Sequence, residues 1–150
     1  DIKTFWVMPA LAELQKTRTG AQINAVSEAS SRLVGATGYL ESRYQALQQY
    51  GGGPALGFWQ MEPATFRDNV KWAVEHAILD ITDRPEPERM AQDPIFGAKM
   101  CRIHYIRKPF SLPENPTNEQ LAALHKQFYN TALGKADAGH NSLILKEFFT

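Results

Sequence analysis

Glu41-Ser42, followed after a glycine-rich turn by Gly53-Pro54-Ala55-Leu56-Gly57-Phe58-Trp59-Gln60-Met61-Glu62-Pro63-Ala64-Thr65, carries the densest pattern in the chain. Three consecutive glycines, 51–53, permit backbone angles closed to other residues and mark a tight turn between the two parts. Phe58 to Glu62 is expected to be short and extended, one strand of a small hairpin. Pro63 suits the first turn of a helix, where its missing N–H is harmless, and that helix is expected to run to about Asp80. Glu41 and Glu62 lie twenty-one positions apart, one at a helix end and one just past a loop. Two carboxylates so placed can converge on one groove, an arrangement suited to breaking a glycosidic bond.

Outward from this stretch the chain reads as mainly helical, with little of the period-two alternation a half-buried sheet needs. Upstream, a short helix is expected over Ala10 to Lys16 and the longest one over Ala21 to Ser42. On the latter, Ile23, Val26, Ala29, Leu33, Ala36 and Leu40 recur at three- and four-residue steps. Gly35 and Gly38 inside that helix each lower its propensity by about 1 kcal/mol relative to alanine, which implies that something packs close there. Downstream, Arg84 to Glu88 is a proline-bearing connector, and Asp93-Pro94 has the cap-then-proline order of a helix start. The helix that follows is apolar and ends before Pro109. Pro113 to Pro116 is a loop, Thr117 with Gln120 is a capping-box pattern opening a helix with Leu121, Leu124 and Phe128 on one side, and Asn141 to Phe149 is the last helix.

The chain has 150 residues, 43% of them hydrophobic, enough for one compact domain. Sixteen basic and sixteen acidic residues balance, so bulk charge disfavours a nucleic-acid partner. Cys101 is alone, which excludes an internal disulfide and a thiolate zinc cluster, and no apolar run approaches the roughly 18 residues that span a bilayer. No secretory leader is evident at Asp1. His76, His104, His125 and His140 lack metal-ligand spacing and read as structural or surface residues, and no metal or cofactor is expected. The triglycine lacks the Gly-Lys-Ser/Thr of a phosphate loop, and no Gly-x-Ser-x-Gly elbow occurs. Cys101 reads as a packed thiol. Lys99, Arg102, Arg107 and Lys108 read as a solvated face, with contact to the acidic peptide stems of a cell wall as the alternative.

Cleaving a sugar-to-sugar link requires protonation of a poor leaving oxygen, and a carboxyl sheltered among apolar neighbours suits that task. Glu41, beside Tyr39, Leu40 and Tyr44, is the candidate donor; the plainer alternative is a solvated helical glutamate. Glu62 either activates water or only sits at the start of the helix opened by Pro63, where the dipole favours it.

Glu-Ser at a helix end, then Gly57-Phe58-Trp59-Gln60-Met61-Glu62-Pro63-Ala64-Thr65, and further on Phe128-Tyr129-Asn130 with Gly134, resembles the lysozyme-like domains of soluble lytic transglycosylases and goose-type lysozymes, particularly bacteriophage versions. The match covers roughly residues 33–66 and 124–136, and Phe58-Trp59 replaces the family's Leu-Met. The resemblance implies a mainly α, lysozyme-like fold with a small β-hairpin or extended segment beside the cleft, formed by a single domain. It implies Glu41 as general acid, Ser42 as the serine orienting acid or substrate, Gly57 and Gln60 as part of the substrate groove, and Tyr129 with Asn130 as residues that close over the acid and contact sugar. For Tyr129 and Asn130 the alternative is a core tyrosine and a helix-end asparagine. Trp59 reads first as core packing and second as a sugar platform. At Glu62, lytic transglycosylases usually carry an apolar residue and goose-type lysozymes an aspartate, which tilts the expectation toward hydrolysis.

The expected activity is therefore a muramidase cutting the β-1,4 bond between N-acetylmuramic acid and N-acetylglucosamine in peptidoglycan glycan strands, with Glu41 as acid and Glu62 as base. The near alternative is a lytic transglycosylase using Glu41 alone and leaving 1,6-anhydro ends; the distant one is a non-catalytic glycan-binding or structural component. The expected setting is a phage lysis enzyme or virion part acting in the bacterial periplasm, as a monomer or within a phage assembly.

Overall fold

Five polar side chains, among them Asp137, which accepts from His140 N–H at 3.2 Å, start helices in the computed structural model, which describes residues 1–45, 47, 52–80, 82, 84–130 and 137–150. Thr17 accepts from Gly20 N–H and opens α2 (Arg18–Gln22). Ser27 and Ser30 exchange bonds of 3.0 and 2.8 Å as a capping box at the head of α3 (Glu28–Ser42). Asp93 Oδ1 accepts from Ile95 and Phe96 at 3.0 and 3.2 Å and opens α6 (Pro94–Ile106). Thr117 and Gln120 form the expected box, at 3.1 and 2.9 Å, before α7 (Asn118–Leu124). Each such cap contributes about 1 kcal/mol by satisfying N–H groups that the first turn leaves without partners. The remaining α-helices are α1 (Met8–Gln15), α4 (Pro63–Glu75), α5 (Arg89–Gln92) and α8 (Ala138–Phe148). Two π-helical turns, Lys3–Val7 and His125–Tyr129, run directly into α1 and out of α7.

The fold is mainly α, as the sequence implies, with three local departures. The helix expected over Ala21 to Ser42 is two helices, because Asn24 turns left-handed (φ 52°) and Ser27 caps a new start. The helix from Pro63 ends at Glu75, since Ala77 also turns left-handed (φ 57°). Phe58 to Glu62 is not an extended strand: residues 57–60 form a turn, with Gly57 at φ 75° and Gln60 at φ 51°. Leu56 and Met61 exchange bonds of 3.0 and 3.1 Å across it as an isolated antiparallel bridge, and no strand occurs among the described residues. Gly57 is obligatory there, because a Cβ would lie 2.6 Å from the Met90 carbonyl oxygen.

Helix α6 is the centre of the molecule. Phe96, Met100 and Ile103 pack with Leu14, Met61, Phe66, Ala73 and Met90, while Ala98, Cys101 and Tyr105 pack with Leu11, Leu33, Trp59, Leu121 and Leu145. A helix buried on both sides must be apolar almost all round, and α6 is. Gly38 answers the question its sequence position raised. After α3 the chain reverses through Arg43 and Tyr44 (φ 54° and 56°), and the Tyr44 ring folds back over Gly38 to donate to Gly35 O at 2.6 Å. A Cβ at Gly38 would sit 2.6 Å from Tyr44 Cε1.

Three of the four basic residues expected as a solvated face, Lys99, Arg102 and Arg107, are placed otherwise. Lys99 pairs with Glu13, Arg107 donates to Asn69 Oδ1 at 2.8 Å, and Arg102 is only 8% exposed. Cys101 is a buried free thiol, pushed well above its ordinary range first by that burial. No helix among the described residues is long and apolar enough to cross a membrane.

Candidate active site

Glu41 lies in the last turn of α3, with 15% of its side chain exposed. Its Oε2 is 2.6 Å from Nε2 of His125, a side chain only 2% exposed at the start of the second π-helical turn. A π turn closes with an i to i+5 bond, here Asn130 N–H to His125 O at 2.7 Å. It leaves the rings of His125 and Tyr129 nearly parallel, 6.0 Å apart. The Tyr129 hydroxyl in turn donates to the Trp59 carbonyl at 2.6 Å, inside the Gly57–Gln60 turn. Three segments far apart in sequence, Glu-Ser, Gly-Phe-Trp-Gln and Phe-Tyr-Asn, are thereby joined by direct contacts.

His125 Nδ1 is buried with no hydrogen-bond partner among the described residues. An unpaired N–H costs more in that position than an unpaired lone pair, which favours the tautomer whose Nε2–H donates to Oε2. The contact then fixes one carboxyl oxygen and leaves Oε1 as the atom that can hold and release an acid proton.

Tyr105 shares a 2.7 Å bond with Thr37 and stacks on Tyr129 at 5.6 Å. Burial holds the Tyr129 phenol well above its ordinary range, so it acts as a neutral donor. A second chain of bonds holds the π turn. Arg107 Nη1 donates to Asn69 Oδ1, Asn69 Nδ2 donates to His104 Nδ1 at 3.1 Å, and His104 Nε2–H donates to Phe128 O at 2.9 Å. Burial pulls His104 down to about 4, which keeps it neutral and fixes that tautomer.

The other expected site residues are differently employed. Ser42 is buried and spends its hydroxyl locally, donating to Gly38 O at 3.2 Å and accepting from Tyr44 N at 3.1 Å. Gln60 donates to Gly57 O at 2.8 Å, within its own turn. Asn130 follows Tyr129 directly and closes the π turn through its backbone. Trp59 is 1% exposed and donates its indole N–H to Val34 O at 2.8 Å, so it is a core residue and not a sugar platform. Glu62 is exposed, gives α4 no side-chain cap, and among the described residues its side chain has no hydrogen-bond or ion-pair partner. Tyr50, Gly51 and Gly134 lie outside the described residues. No group of three His, Cys, Asp or Glu side chains is placed to hold a metal ion among the described residues.

His125 is the partner the sequence expectations missed. It follows Leu121 by four positions on the buried side of α7, and an imidazole on an apolar stripe needs a buried partner. No family model, curated protein or solved structure matches the chain.

Proposed function

We propose that this chain is a peptidoglycan-cleaving glycosidase, a single lysozyme-like domain in which Glu41 protonates the oxygen between N-acetylmuramic acid and N-acetylglucosamine. The observation that carries the proposal is the joining of three distant segments around one mostly buried carboxyl, through the Glu41–His125 and Tyr129–Trp59 bonds. His125 anchors Oε2, Oε1 delivers the proton, and the sugar takes on oxocarbenium character as the bond breaks. In the hydrolytic form Glu62, open to solvent, activates the water that completes the reaction. The chemistry is that of a muramidase, in the setting of a phage lysis enzyme or virion part acting on the wall from the periplasm.

A second reading, lytic transglycosylation, is favoured by one observation: Glu62 is exposed and its side chain has no partner among the described residues to hold it in place. In that form the sugar's own hydroxyl attacks, and Glu41 acts as acid and then as base. Mass spectrometry of digested cell-wall glycan separates the two. Hydrated muramic ends support hydrolysis, ends lighter by one water support transglycosylation, and an undigested wall contradicts both.

A further inference from the structure

Among the described residues Arg102 is a cation without a counter-charge. It is 8% exposed, its Nε–H donates to Ala25 O at 3.1 Å, and its two terminal amino groups have no hydrogen-bond or ion-pair partner among the described residues. Burial pulls the guanidinium down to about 10. The terminal amino groups are not sealed from solvent, so they are open to a ligand that displaces water from them.

Arg102 lines a cleft of about 710 Å³ between the α2–α3 connection, the C-terminal half of α6 and the segment that follows it. Ile106, Phe110, Leu112 and Pro113 supply an apolar wall, and Lys108 supplies a second positive charge. Of the two carboxylates on the cleft, Glu28 is held by Lys3 through both oxygens at 2.7 and 3.0 Å, and Glu114 is exposed. With Nε already bonded, Arg102 presents its terminal amino edge, the edge that receives a carboxylate through two parallel bonds. The apolar wall and the nearby acidic side chains disfavour a dianion such as phosphate.

We propose that this cleft binds a monocarboxylate carried on an apolar group, such as an acylated amino acid or a peptide C-terminus, with Arg102 as the anchor and Lys108 as the second contact. The site is separate from Glu41, and the proposal does not rest on the glycosidase reading.

The test is a titration of the intact protein followed through the Arg102 Nε–H resonance, assigned from Arg102→Lys. Three probes are used: N-acetylleucine, its uncharged amide, and inorganic phosphate. N-acetylleucine is expected to shift the resonance saturably and the amide to leave it unmoved. Lys108→Met, on a half-buried side chain, is expected to weaken binding about tenfold, and Glu41→Gln to leave it unchanged. The proposal is overturned by any of three results: no saturable shift with N-acetylleucine, an equal response to the amide, or a response to phosphate alone. N-acetylleucine binding that calorimetry finds unaltered in both Arg102→Lys and Lys108→Met also overturns it.

Discussion

His125 and Glu41, 84 positions apart, meet through a 2.6 Å contact between Nε2 and Oε2 that ties the end of α3 to the π turn after α7. Both partners are largely withdrawn from water, so the bond is strong and its loss is costly. His125→Phe fills the same space without a donor. We expect it to destabilise the fold by about 1–3 kcal/mol, and a double-mutant cycle with Glu41→Ala, which removes the acceptor, to give a coupling of at least about 0.5 kcal/mol in urea unfolding. Additive effects within error would mean that the contact does not exist in solution.

Tyr129→Phe removes only the hydroxyl that reaches the Trp59 carbonyl. The expected cost is about 1 kcal/mol in stability, together with a fall in wall-clearing rate as the turn and the π helix lose their link. Unchanged stability and rate would remove Tyr129 from its bridging role.

His104 makes stability depend on pH. Its ordinary value is 6.5 and burial lowers it to about 4 in the fold, so between those values the unfolded chain binds a proton that the native state does not. Its contribution is therefore fully present above pH 6.5 and is lost as pH falls toward 4, by up to about 3 kcal/mol. Urea midpoints measured across that window should fall for the parent, and fall less for His104→Gln. Parallel pH profiles for the two proteins would contradict this.

Gly38→Ala should destabilise, although alanine is the better helix former by about 1 kcal/mol, because the new methyl meets the Tyr44 ring. We expect a net loss of about 1–3 kcal/mol, largely absent when the substitution is made in a Tyr44→Ala background. A stabilised single variant would place the ring elsewhere.

What the sequence conveyed, and what it concealed, follows from range. Local signals were readable: Asp93-Pro94, the Thr117–Gln120 box and the crowding at Gly38 all follow from neighbours within a few positions. The Ser27–Ser30 box was missed because serine, not glutamate or glutamine, returns the second bond, and the break it makes divides what looked like one helix. Neither π turn has a periodicity distinct from an α-helix, so the one that presents His125 and Tyr129 was invisible. Glu41 and Tyr129 were legible as motif residues. Their link through His125 and Trp59 was not, because it depends on side chains brought together only by folding. Arg102 looked like one more surface cation, since its burial is decided by the α2–α3 connection packing over α6.

The central claim is that Glu41 donates the proton that breaks the glycan, and Glu41→Gln tests it most directly, since it keeps the shape and an acceptor oxygen for His125 while removing the acid. The measurement is the rate at which purified peptidoglycan suspensions clear, with circular dichroism to establish that the variant is folded. A folded Glu41→Gln protein should clear them at least about a hundredfold more slowly than the parent. Clearing at the parental rate would contradict the account.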